Sequence, residues 1–254
     1  MLENMNEVAS DNVIGRLYNL IYSLKKNRGS NAEGTFCKVF LLEENDRVSI
    51  LKNYAELFNM CNVGINKLEQ LKPKRLEKYK DTLNQVSEGL SKIYFNATSS
   101  GFGNGMDKFN DHFTSNLMIS LENCADYLSE HSTEEVVEDE RILELLKEVY
   151  ELEEFIVNCK LQTELEKILI YQLNNVRESL LKYKFYGSQG IIDSVATTLG
   201  TLILNREKIE NNKDKGTVEG IFKLVAKINS IFSLKDNSIK LVGEIFRKLT
   251  GGEQ

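Results

Sequence analysis

Between Gly105 and Gly187 the chain runs 81 residues without a glycine or a proline. These two residues punctuate the joints between helices and strands, so a run of this length predicts nearly unbroken helix. One helix over residues 134–185 would measure about 78 Å at 1.5 Å per residue. A compact chain of this size has a radius of gyration of only about 18 Å, so the run must divide, or the molecule must be elongated or dimeric.

The apolar pattern shows where it divides. Ile142, Leu145, Val149, Leu152 and Ile156 keep a three–four rhythm, which Cys159, Thr163 and Glu166 then interrupt. The stripe resumes in a shifted register at Leu161, Leu165, Leu169, Leu173, Val176 and Leu180. A slip of register distorts a continuous coiled coil, which predicts a kink or short break between Asn158 and Thr163. An earlier stop falls at Ser132 or Thr133, either of which suits an N-cap, with Glu134 and Glu135 in the first turn of the next helix.

Helical periodicity extends over the rest of the chain. Val13, Leu17, Leu20, Ile21 and Leu24 share one face, and a short helix is expected within residues 35–42. Asp46 caps the next helix, whose expected buried stripe is Val48, Leu51, Tyr54, Ala55, Phe58 and Cys61. Pro73 suits the first turn of a helix carrying Leu76, Tyr79, Leu83, Val86, Leu90 and Ile93. After a hinge at Gly187 and Gly190 come helices over residues 191–205, 218–233 and 238–249, the last with Ile239, Val242, Ile245, Phe246 and Leu249 on its apolar side. The chain thus reads as all-α, a multi-helix bundle of about seven to nine helices with one or two long helices between residues 133 and 186. Its parts are an N-terminal helical region (1–98), a Gly-rich connector (99–105), a long-helix region (106–186) and C-terminal amphipathic helices (187–254), or all four form one domain.

The chemistry the residues offer is sparse. A net charge of −6 argues against a nucleic-acid coat, which needs clustered Lys and Arg. Cys37, Cys61, Cys124 and Cys159 form no CxxC pair and read as reduced, buried thiols of a cytosolic protein. The polar, acidic first residues are not those of a signal peptide. Only His112 and His131 occur, and neither follows a Glu by three residues, so the ExxH pairs of di-iron bundles are absent. The glycines from Gly101 to Gly105 are not followed by the GK[ST] of a phosphate loop. No cofactor and no metal is implied. The 25 Asn, beside abundant Lys and Ile, hint at an AT-rich bacterial or phage genome.

Charge is unevenly spread. Residues 134–154 hold ten acids and two bases, whereas residues 206–248 hold ten bases and six acids. The first segment is a candidate partner-binding face, with Glu134, Glu138, Glu144, Glu148 and Glu151 as its carboxylates. The amphipathic helix bearing Phe222, Val225, Ile228 and Phe232 is a candidate lipid- or partner-binding element. The reading these features favour is a non-enzymatic cytosolic adaptor, inhibitor or regulatory subunit that binds another protein or a second copy of itself, and a bacterial or phage conflict system suits the composition. The alternatives are a membrane-active effector that uses its C-terminal helices, and a metal-dependent enzyme built on carboxylates. The first alternative is tested by dye release. Purified protein added to anionic vesicles is expected to leave the dye inside, and leakage would favour the membrane-active reading.

Overall fold

Backbone geometry in the computed structural model is described for residues 8–27, 32–43, 46–99, 109–131, 134–159, 163–210 and 215–232, and side-chain burial for the same residues except 96–99, 210, 215 and 218. Among them are eleven helices and no strand. The count exceeds the expected range through two short elements, Phe109–His112 and Arg206–Glu210. Contacts divide the chain into two compact units, residues 1–134 and 135–254. The division falls at Glu134, inside the expected long-helix region; of the expected connector only Ser99 lies within the described residues.

The first unit is organised around α1 (Val13–Lys26), whose Val13, Ile14, Leu17, Tyr18, Leu20, Ile21 and Leu24 are all buried. Asn12 caps it: Oδ1 accepts from the amides of Ile14 and Gly15 at 3.0 and 2.9 Å. The same side chain donates through Nδ2 to the Ala125 carbonyl and Ser129 Oγ. One buried residue thus ties the start of α1 to a second helix.

Four further long or medium helices complete this unit: α2 (Ala32–Phe40), α3 (Arg47–Leu71), α4 (Leu76–Ser99) and α6 (Ser115–His131), with the single turn α5 (Phe109–His112) before the last. Pro73 precedes α4 by a turn, its carbonyl accepting from the Leu76 amide. In α3 the buried seam is Ile50, Tyr54, Leu57, Met60, Cys61, Gly64 and Leu68. This corrects the sequence expectation: Val48, Leu51 and Ala55 face solvent, because the stripe drawn through them lies about a quarter-turn from the true seam. At Gly64 an added Cβ would meet Ile14 Cγ1 at 2.9 Å, so the missing side chain lets α3 approach α1 closely.

The second unit begins with residues 135–138, which carry no regular secondary structure, and α7 starts only at Asp139 (Asp139–Asn158). The expected helix start at Glu134 is therefore five residues early; Ser132 and Thr133, its expected caps, lie outside the described residues. The expected break is present, since α8 (Thr163–Leu181) follows α7 as a separate helix. Next come α9 (Tyr183–Leu204), α10 (Arg206–Glu210) and α11 (Lys215–Ile231). Within α9, Gly187 stands at φ 62°, ψ −156°, a conformation accessible to glycine and costly for any other residue. The expected hinge is a kink there.

Helix α11 packs against α7, with Ile221, Phe222, Leu224, Val225, Ile228 and Phe232 in the same core as Ile142, Leu145, Val149 and Ile156. The expected final helix over residues 238–249 lies outside the described residues. No described helix is long and apolar enough to cross a membrane.

Two cations meet one carboxylate in the first unit. Glu134 accepts from Arg16 at 2.9 Å and from Lys67 at 2.5 Å, and its amide donates to the Asp11 carbonyl at 2.7 Å. Removing one member of such a buried group strands the opposite charge. Glu134→Ala is expected to lower unfolding stability by about 3–5 kcal/mol. Urea titration checks this, with Glu135→Ala as the exposed control.

Candidate functional site

The inner side of α7 is accounted for by the core. Its outer side carries a second apolar line. Leu143, Tyr150 and Val157 are spaced by seven residues, two turns of helix, and are 64%, 51% and 64% exposed. Lys147 and Glu154 lie between them on the same line. Glu144 and Glu151 each follow an apolar member by one residue and form an edge beside it, with Glu140 one turn before Glu144. The result is an apolar stripe beside a carboxylate rim.

Tyr150 is held in place from α8. The Arg177 guanidinium lies 5.4 Å from the centre of its ring and donates to Glu153 at 2.7 Å. A ring fixed in this way offers contact area with little loss of rotamer freedom on docking.

The five carboxylates singled out in the sequence do not form one face. Glu134 belongs to the first unit, where its two ion pairs leave its side chain 11% exposed. Glu138 precedes α7 as its N-cap and makes no side-chain capping bond. Glu148 turns towards α11 and pairs with Lys227, whose pKa is raised above the ordinary lysine value by this hydrogen bond. Only Glu144 and Glu151 stand beside the apolar stripe; Lys147 lies 3.7 Å from Glu151. The charge asymmetry of the sequence is thus partly satisfied within the second unit.

Phe222, Val225, Ile228 and Phe232 are buried in that unit's core, and so the candidate lipid- or partner-binding set is structural in the folded chain. Sequence reading missed the outer stripe of α7. Its signal was a seven-residue repeat of apolar side chains out of phase with the core seam in the same helix.

A groove of about 330 Å³ separates α4 from α6 in the first unit. Arg75 and Lys78 line one wall, Asp126 and Glu130 the other, and the Tyr79 and Tyr127 rings meet 5.4 Å apart between them. His131 stacks on Tyr127 at 4.2 Å. Among the described residues no group of three or more His, Cys, Asp or Glu side chains is placed to share a metal ion.

No protein-family model matches the chain, and no curated protein or solved structure matches it.

The thiols give a check on the packing. Burial pushes Cys61 up to about 11 and Cys124 up to about 12, and Cys37 is also buried. Cys159, at the end of α7, is half-buried. Since the thiolate is the reacting form, maleimide at pH 8 is expected to modify Cys159 first. The other three are expected to react only as the chain unfolds, as mass spectrometry of a labelling time course will record.

Proposed function

We propose that the chain acts without catalysis, by binding another protein through the outer face of α7. The observation that carries this reading is the exposed line Leu143–Tyr150–Val157, which the core of its own unit leaves uncovered. Apolar side chains repeated at heptad spacing on a helix surface are what a partner helix packs against. The rim gives the partner its chemistry: Glu140, Glu144, Glu151 and Glu154 outnumber Lys147, so a helix with its own apolar line and flanking Lys or Arg fits best.

A second copy of the chain fits less well. In an antiparallel two-fold pairing the same edge of each α7 meets its mate. That would set Glu144 and Glu151 against their own copies, and like-charge contacts across an interface are costly. The four cysteines, none of them in a disulfide, suit a reducing compartment such as the cytosol. A role as adaptor, inhibitor or regulatory subunit in a bacterial or phage conflict system suits the composition. A membrane-active role would require Phe222 and Phe232 to leave the core, and nothing in the structure favours it.

The test compares the unaltered chain with Leu143→Glu/Val157→Glu, both exposed positions whose substitution is expected to change stability by about 0.5 kcal/mol or less. Partners are captured in the native host by a photo-cross-linker at Lys147. The captured species is expected to disappear in the double variant, to persist with Phe95→Glu in the first unit, and to weaken as salt rises. Equal capture by all three proteins would refute the reading.

A further inference from the structure

The geometry points to the groove between α4 and α6 as a receptor for a small dipolar ligand of the amino-acid class, one that carries both a carboxylate and an ammonium group. Nothing in this depends on the outer face of α7. Both walls are built by helical spacing. Arg75 stands just before α4, its carbonyl accepting from the Tyr79 amide at 3.1 Å, and shares one side with Lys78, Tyr79 and Thr82. On α6, Asn123, Asp126, Tyr127 and Glu130 recur at steps of three and four, one turn after Ser120. Tyr79 meets Tyr127, and Thr82 lies within hydrogen-bonding reach of Cys124, so residue numbers fall along α6 as they rise along α4. The two helices are therefore antiparallel. This sets Arg75 level with Glu130, and Lys78 level with Asp126.

Charges of opposite sign on facing walls would ordinarily close into ion pairs, as Lys80 does with Glu69 at 2.7 Å. Among the described residues Arg75, Lys78, Asp126 and Glu130 make no ion pair. The rings between them explain why. Tyr127 is packed between Tyr79 at 5.4 Å and His131 at 4.2 Å, and His131 Nδ1 donates to the Tyr127 carbonyl at 2.8 Å. This column keeps the walls apart, and the four charges remain open to a ligand. Burial raises the pKa of the Tyr79 hydroxyl above its ordinary value, with Arg75 opposing the rise and Glu130 adding to it. That hydroxyl stays a neutral donor on the floor of the groove. Asn123 uses Nδ2 on the Ile119 carbonyl at 2.8 Å, which leaves its Oδ1 as an acceptor.

The balance of charge selects the ligand. A polyanion would meet Asp126 and Glu130, and a polycation would meet Arg75 and Lys78; each loses on one wall what it gains on the other. A molecule with one charge of each sign satisfies both walls, its carboxylate taken by Arg75 and Lys78 and its ammonium by Asp126 and Glu130. The volume of about 330 Å³ lies at the small end of the range of about 300–1,000 Å³ that ligand sites span. It suits an occupant of amino-acid or dipeptide size.

The test screens the standard L-amino acids against the whole chain by saturation-transfer NMR, with titration of each one that binds. At least one is expected to bind with Kd of about 1 mM or tighter. Its N-acetyl and carboxamide derivatives, each lacking one of the two charges, are expected to bind about tenfold more weakly or worse. Arg75→Gln/Lys78→Gln is expected to weaken the intact amino acid by a similar factor and to leave the carboxamide unaffected. Asp126→Asn/Glu130→Gln is expected to weaken the intact amino acid equally and to leave the N-acetyl form unaffected. All four positions are exposed, so both variants are expected to fold as the parent does, which circular dichroism checks. If either variant fails to fold, the derivative series on the unaltered chain decides. Silence from every amino acid, or derivatives that bind as well as their parent, would overturn the proposal.

Discussion

The carboxylate of Glu134, held between Arg16 and Lys67, is the constraint on which the course of the chain depends. Arg16 lies on α1 and is nearly buried, so its charge needs a partner close at hand. Glu134 supplies it, while its amide bonds to Asp11 beside the Asn12 cap. A backbone committed to these contacts is not free to begin a helix at the same place. The chain forms no helix from Glu134 to Glu138, and α7 starts at Asp139. The ion group thus shortens the long glycine-free run from its middle. The apolar seam of α7 then decides which side of the new helix turns inward and which side is left for others.

Much of the architecture was legible in the residues. The all-helical class, the register slip that becomes the gap between α7 and α8, and the Asn158–Thr163 boundary follow from apolar spacing alone. Periodicity was a poorer guide to the inward side of α3, which has apolar residues on more than one side. Val48 and Leu51 compete with Ile50 and Leu57 for the core, and the side that carries Gly64, close to Ile14, is the one buried. The start of α7 was misread for a different reason. Local capping preference favours a helix near residue 133, and a contact to Arg16, more than a hundred residues away, overrides it.

The candidate face shows the same limit. An acidic cluster in sequence is a statement about composition, and folding sorts its members one by one. Glu134 is consumed by an ion group, Glu148 by Lys227, and Glu144 and Glu151 remain outside. Leu143, Tyr150 and Val157 were equally visible as letters, but a helix must first be given its inner side before an outer line has meaning.

The tight contact at Gly64 has a consequence for ancestry. Gly64 against Ile14 sets α3 and α1 at a distance that a methyl group would violate. Such a pair drifts together: a larger residue at one position is tolerated when the aliphatic opposite it shrinks. Chains that share this architecture after their sequences have diverged should keep the joint volume of the pair while losing the letters. Paired volume at this site is then a fingerprint for distant kin where overall similarity has faded.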